Sequence, residues 1–161
     1  DQRGERGMMG GGGQQQLQQL SQELEAIDEE IEELESEIEG LRTRQSEIDE
    51  AIEAIETLDS GSTVQVPLGG GAYLRAEIQD IDEVIVDLGG GYAAEQDQDG
   101  AVDALERKKG ILDDRIEDVQ DEISELEAES SEIEQQAQQM QQQMQQQQMQ
   151  QLQQQQEQGD E

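Results

Sequence analysis

The chain contains no cysteine, histidine, tryptophan or phenylalanine, and its only aromatic residues are Tyr73 and Tyr92. Without Cys or His there can be no disulfide framework, zinc site, haem ligand or histidine-based catalysis. Because apolar residues make up only 31% of the chain, a large compact core is excluded as well. Since no run of about 18 apolar residues exists, we expect no membrane-spanning segment.

Positive charge is also scarce. The chain has 9 Lys and Arg and 42 Asp and Glu, which gives a net charge of −33. Such a surface disfavours binding to a nucleic-acid backbone. The acids are spread over every major segment, which favours a folded protein adapted to high salt over a protein with one acidic tail. Residues 1–13 lack the apolar stretch of a signal peptide, and we expect a flexible N-terminus and a cytoplasmic protein.

Two segments carry heptad positions, spaced alternately three and four residues apart as in a coiled coil. Helix 1 is predicted over 14–59, with heptad positions at Leu17, Leu20, Leu24, Ile27, Ile31, Leu34, Ile38, Leu41, Gln45, Ile48, Ile52 and Ile55. Helix 2 is predicted over 101–146, with heptad positions at Val102, Leu105, Lys109, Leu112, Ile116, Val119, Ile123, Leu126, Ser130, Ile133, Ala137, Met140 and Met144. The matched lengths predict an antiparallel pair in which facing residue numbers add up to roughly 160.

Residues 60–100 change to a period of two and predict two β-hairpins, each turning at a glycine triplet. Four short strands cannot bury two faces, and their exposed edges favour pairing with other subunits. We therefore expect this region to drive assembly. The predicted assembly residues are Val64, Val66, Leu74, Val84, Ile85, Val86 and Leu88.

Three segments together resemble the alpha-type subunits of the prefoldin family, and the acidity of the chain resembles that of proteins from halophilic archaea. The segments are Val66–Ala76 (VPLGGGAYLRA), Asp82–Gly91 (DEVIVDLGGG) and Ala101–Ile111 (AVDALERKKGI). The resemblance implies an α+β fold, in which a long antiparallel two-helix coiled coil is joined through two β-hairpins that form an oligomeric β-barrel. It also implies a hexamer of two alpha and four beta subunits. Because no glycine run is followed by the Lys of a P-loop and the acidic pairs lie at solvated helix positions, we expect no enzymatic activity and no cofactor.

The same resemblance implies an ATP-independent chaperone that captures unfolded proteins at the coiled-coil tips and passes them to a group II chaperonin. Flexible Met side chains suit an adaptable apolar surface for such clients. The candidate client-binding residues are Leu17, Leu20, Met140, Met144, Met149 and Leu152. Alternatively, the Gln-rich segment 147–161 is only a disordered tail. The alternative function is a structural coiled-coil scaffold or tether without client activity.

Three further motifs have structural interpretations that we favour over functional ones. Glu95–Gly100 with Glu106 approaches the spacing of a calcium-binding EF-hand loop, but acidic capping of helix 2 by Asp97 and Asp99 is the simpler interpretation. Gly89–Ala94 fits G-x-G-x-x-A, but a dinucleotide site needs a helix there, and a hairpin turn is expected instead. The basic cluster Arg107–Lys109 is expected to pair with acids of helix 1, with Lys108 near Glu50 and Glu53.

Overall fold

A computed structural model of the chain describes the backbone of residues 2–159 and the side chains of residues 13–157. Its elements are, in order, α1 (Gln2–Thr57), β1 (Thr63–Gly69), β2 (Ala72–Glu77), β3 (Val84–Gly89), β4 (Tyr92–Gln96) and α2 (Gln98–Gly159). The predicted α+β fold of two long helices and two β-hairpins is confirmed. Within the described backbone, no helix is both long enough and apolar enough to cross a membrane.

The chain divides into two compact units. The first unit consists of residues 1–36 and 120–161, and the second unit is the continuous stretch 37–119. Both helices contribute to both units, whereas the two hairpins belong to the second unit alone. Each unit therefore contains a segment of α1 and a segment of α2.

The heptad positions form the buried face of both helices. From Leu17 to Ile55 and from Val102 to Met144, every heptad residue is buried or half-buried. In the first unit Ile27 and Ile133 are buried, and in the second unit Val119 is fully buried. Because alternating steps of three and four residues keep one helix face turned toward a partner, the spacing alone identified this core.

The predicted antiparallel register is confirmed to within about one helical turn. In the second unit the side chain of Gln45 donates a hydrogen bond to Asp113, and these residue numbers add up to 158. In the first unit a Cβ placed on Gly13 would lie 3.5 Å from the Met144 sulfur, and these numbers add up to 157. The expected sum was roughly 160.

The helix ends differ from the predicted boundaries in ways that residue chemistry explains. Helix α1 ends at Thr57 rather than 59, and the chain turns at Gly61, whose φ of 90° favours glycine. Helix α2 continues to Gly159, past the predicted limit of 146, because residues 111–158 contain neither Gly nor Pro and Gln and Met are good helix formers. Helix α1 also begins at Gln2 rather than at the predicted residue 14, and the side chains of the predicted flexible segment 1–13 lie, except for Gly13, outside the described ones.

Each hairpin forms its own two-stranded antiparallel sheet. In the first sheet Val66 lies opposite Leu74, and in the second sheet Val86 lies opposite Ala94. Both turns use glycine triplets in which every residue has a positive φ, and Gly90 has a φ of 62°. The predicted hairpin turn at Gly89–Gly91 is thus confirmed, because L residues rarely adopt this conformation.

Helix α2 begins with the predicted acidic cap. The Asp97 carboxylate accepts a hydrogen bond of 2.7 Å from the backbone N–H of Gly100, and Asp82 accepts one from the N–H of Gln98. These bonds satisfy amides that have no partner within the helix. A Cβ at Gly100 would lie only 2.6 Å from the Asp97 carboxylate oxygen, so the glycine leaves room for the cap.

Candidate assembly and client-binding surfaces

The inner face of the second hairpin belongs to the core of the second unit. Val86 is 4% exposed and packs in a cluster with Ala101 and Ala104 of α2. Val84, on the same face of β3, packs against this cluster, as do Ile55 of α1 and Leu105. Val86 was predicted as an assembly residue, but its side chain is used within the chain, because successive residues of a strand point to opposite faces.

The second hairpin also carries exposed apolar side chains, on its outer face at Ile85 and beside its turn at Tyr92. Ile85, the neighbour of Val86, is 75% exposed, and Tyr92 beside the turn is 77% exposed. Ile85 was predicted as an assembly residue, whereas Tyr92 was missed. The signal that could have found Tyr92 is the rarity of aromatic residues in the chain, since Tyr92 directly follows one glycine triplet and Tyr73 follows the other after a single alanine.

The first hairpin is exposed on both of its faces. Val66 and Leu74, paired across β1 and β2, are exposed on one face, and Tyr73 is exposed on the other. Val64, at the start of β1, is half-buried and lines a groove beside Ala54 and Leu58. Exposed apolar groups on two faces of a two-stranded sheet have little means of burial within one chain.

Taken together, the hairpins hold most of the large apolar side chains that are exposed among the described residues. Seven of ten such side chains belong to β1–β4 or their turns, namely Val66, Leu68, Tyr73, Leu74, Ile85, Leu88 and Tyr92. A concentration of this kind marks an interaction surface rather than scattered exposure. The predicted residues Val66, Leu74, Ile85 and Leu88 lie on this surface, and Val84 and Val86 do not.

Polar contacts join the second hairpin to α2, and the start of α2 to the end of α1. The Lys108 ammonium donates to the backbone carbonyl of Asp87 over 2.7 Å, which joins β3 to α2. The expected pairing of Lys108 with Glu50 and Glu53 is therefore replaced by a backbone contact. The side-chain amide of Gln98 donates to the carbonyls of Ile55 and Leu58, at 2.6 and 3.2 Å, and so satisfies carbonyls at the end of α1.

A groove of about 510 Å³ lies beside the end of β3 in the second unit. Leu88, Leu105 and Ile111 provide apolar walls, and Arg44 and Lys108 lie at its polar side. Ile111 is exposed although it is apolar. The heptad analysis missed Ile111, because this residue precedes Leu112 and lies off the buried face of α2.

Two of the three polar residues that interrupt the heptads, Gln45 and Lys109 but not Ser130, meet in one layer of the second unit. The Gln45 amide donates to the backbone carbonyl of Lys109 over 3.3 Å and also to the Asp113 carboxylate. The Lys109 ammonium lies 2.8 Å from an Asp49 carboxylate oxygen, and this hydrogen bond raises the pKa of Lys109 above its usual value. Both interruptions are therefore paired with partners on the facing helix.

The six candidate client-binding residues lie on the two helix segments of the first unit, and we call them together the terminal stripe (Leu17, Leu20, Met140, Met144, Met149 and Leu152). Met149 and Leu152 lie off the heptad face of α2 that carries Met140 and Met144. Leu17, Leu20, Met140 and Met144 are half-buried. Met149 and Leu152 are 69% and 62% exposed. This order of exposure is the predicted one, in which the residues beyond 147 are the most accessible.

The chain is similar to proteins of three halophilic archaea, each described as a prefoldin subunit alpha. The protein of Halorubrum lacusprofundi is 74% identical over 112 residues, which cover 70% of this chain and 74% of the relative. That of Haloarcula marismortui is 71% identical over 105 residues, covering 65% of this chain and 68% of the relative. That of Halobacterium salinarum is 65% identical over 111 residues, covering 69% and 72%. The predicted resemblance to alpha-type subunits of halophiles is confirmed.

A filamentous PFD of Methanocaldococcus jannaschii, solved by cryo-EM, is 24% identical, with a TM-score of 0.49 and coverage of 74% of this chain and 95% of that chain. The family model described as prefoldin subunit matches residues 27–148. The matched range contains both hairpins and most of both heptad segments. With a match over more than half of its length and high identity to these relatives, the chain belongs to the prefoldin family.

Proposed function

We propose that the chain is an alpha-type subunit of a hexameric chaperone and holds unfolded proteins without ATP. The observation that carries the proposal is the distribution of exposed apolar side chains. Among the described residues they gather on the hairpins and on the terminal stripe, apart from Ile111. Two separate apolar surfaces on a strongly acidic chain support two separate binding tasks.

The hairpins would perform assembly. Each two-stranded sheet has unpaired edges, and sheets of this size need further strands for stability. In the proposed hexamer of two alpha and four beta subunits, hairpins of neighbouring subunits would pair and close into a β-barrel. Ile85, Tyr92 and Leu74 would then be buried between subunits.

The terminal stripe would hold clients. Met side chains are flexible and polarizable, so they adapt to many apolar sequences, as a holding chaperone requires. One exposed Met or Leu contributes about 1.5–3 kcal/mol when it is fully buried, and several subunits that act together multiply weak contacts. Release to a group II chaperonin is compatible with such weak individual contacts.

Truncation after Ala137 tests the client-binding role, because it removes the stripe residues of α2 and leaves both hairpins intact. We expect the truncated chain to assemble with beta-type subunits as the full chain does. We expect it to lose protection of a denatured, aggregation-prone protein diluted into molar KCl, measured by light scattering. Equal protection by both assemblies would refute the role of the stripe.

A matched pair of full-length variants separates apolar chemistry from helix length. Met149→Gln with Leu152→Gln makes the exposed part of the stripe polar and retains the helix, since Gln is a good helix former. Gln147→Ala with Gln154→Ala is the control, because both side chains are exposed and lie on the face of α2 opposite to Met149 and Leu152. Only the first variant should lose protection. If the wild-type assembly shows no protection at all, the scaffold alternative is favoured.

A further inference from the structure

All sulfur atoms of the chain belong to methionine, since the sequence has five Met and no Cys. All five Met fall within the first unit, at positions 8, 9, 140, 144 and 149. Met8 and Met9 lie outside the described side chains. Because thioethers are readily oxidised to sulfoxides and the chain has no thiol to react first, oxidative chemistry is concentrated on one unit of the protein.

The three described thioethers differ in accessibility. Met149 is 69% exposed, whereas Met140 and Met144 are half-buried at heptad positions. The Met144 sulfur is further covered by α1, since a Cβ on Gly13 would stand 3.5 Å from it, in ordinary van der Waals contact. An oxidant in solution therefore reaches the Met149 sulfur first.

We propose that Met149 is a reversible oxidation site whose sulfoxide lowers client binding by the terminal stripe. A peroxide is the class of oxidant required. The thioether lone pair attacks one peroxide oxygen, the S–O bond forms as the O–O bond breaks, and the leaving hydroxide takes the proton from the oxygen now bound to sulfur and becomes water. Sulfur loses two electrons and the peroxide gains them.

The functional consequence follows from the change in the side chain and depends on the proposed client-binding function. Oxidation turns a flexible apolar side chain into a polar one with a strong oxygen acceptor. Burying that oxygen against an apolar client leaves it without a hydrogen-bond donor, which disfavours the contact. Methionine sulfoxide reductases remove the oxygen, so the loss of binding is reversible.

The site is tested by exposing the full chain to graded hydrogen peroxide in molar KCl. Cleavage after glutamate releases residues 135–157 as one peptide that holds Met140, Met144 and Met149, apart from the peptide that holds Met8 and Met9. Tandem mass spectrometry then follows each sulfoxide. We expect Met149 to be oxidised severalfold faster than Met140 or Met144. Equal rates at the three positions would overturn the assignment of Met149 as the site.

The effect on binding is tested with two variants. One carries Met8→Leu and Met9→Leu and retains the three stripe Met. The other replaces all five Met with Leu, which is apolar, similar in volume and resistant to peroxide. Each chain is oxidised alone, the peroxide is removed with catalase, and beta-type subunits are then added before the light-scattering assay.

We expect the oxidised variant with three Met to lose most of its ability to protect the client from aggregation. It should regain this ability after treatment with methionine sulfoxide reductases A and B. The five-Leu variant should protect equally before and after peroxide. Unchanged protection with Met149 fully converted to sulfoxide would overturn the inference. If truncation after Ala137 also leaves protection unchanged, the proposed client-binding role fails too; if truncation abolishes protection, only the oxidation inference fails.

Discussion

Ile85 and Val86 are adjacent in β3 but have opposite surroundings, so they form a matched pair for mutation. Val86 is 4% exposed and packs against Ala101 and Ala104, whereas Ile85 is 75% exposed. We predict that Val86→Ala destabilises the chain itself. We predict that Ile85→Ala leaves the stability of the chain unchanged and weakens its assembly with beta-type subunits.

The magnitudes follow from burial. Val86→Ala removes two buried methyl groups at about 0.8 kcal/mol each and leaves a small cavity, so a loss of about 2 kcal/mol in unfolding free energy is expected. Ile85→Ala changes an exposed side chain and should stay within about 0.5 kcal/mol in the isolated chain. If Ile85 becomes buried between subunits, its truncation costs about 1.5–3 kcal/mol of association free energy, which is tenfold or more in affinity.

Two assays separate these outcomes. Denaturant unfolding of the isolated chain in molar KCl, followed by circular dichroism, reports stability through the midpoint at constant slope. Sedimentation velocity of the chain mixed with beta-type subunits reports assembly. The assignment of the two faces would be refuted if Ile85→Ala lowered the denaturant midpoint and Val86→Ala left it unchanged. Full assembly of Ile85→Ala would show that the outer face is not a subunit interface.

Three further predictions concern charge and helix ends. Because the net charge is −33, helicity and thermal midpoint should both be lower in dilute buffer than in molar KCl, where the Debye length is about 3 Å; equal circular dichroism melts would contradict this. Asp97→Ala should lower the free energy of unfolding, measured by denaturant titration, by about 1 kcal/mol, because the α2 cap is lost. Asp99→Ala should lower it less, because the Asp99 side chain does not make the capping hydrogen bond. Lys109→Leu should raise the denaturation midpoint, since an exposed ion pair contributes little and leucine restores an apolar heptad position, whereas Asp49→Ala should change it little.

The helices and turns could be predicted from sequence because their signals are local. A heptad repeat specifies which helix face is buried, and a glycine triplet between two β-prone runs specifies a hairpin. The assignment of faces in β3 could not be obtained in this way. Val84, Ile85 and Val86 are all apolar and β-branched, so the polar–apolar alternation does not show which of them face the core. Packing against α2 decides which side chains face inward, because the small residues Ala101 and Ala104 at its start leave room for Val84 and Val86.

The polar layer shows a second limit of local patterns. Gln45 and Lys109 lie 64 residues apart in the sequence, and each alone is a polar defect in its own heptad repeat. In the antiparallel register of the second unit they meet, and Gln45 donates to both the Lys109 carbonyl and Asp113. If α2 slipped by one heptad, Gln45 would instead face the apolar positions near Val102 or Ile116 and would lose these partners. Because a buried polar group without a partner is costly, the two interruptions favour one alignment over its neighbours, as a single polar residue does in other coiled coils.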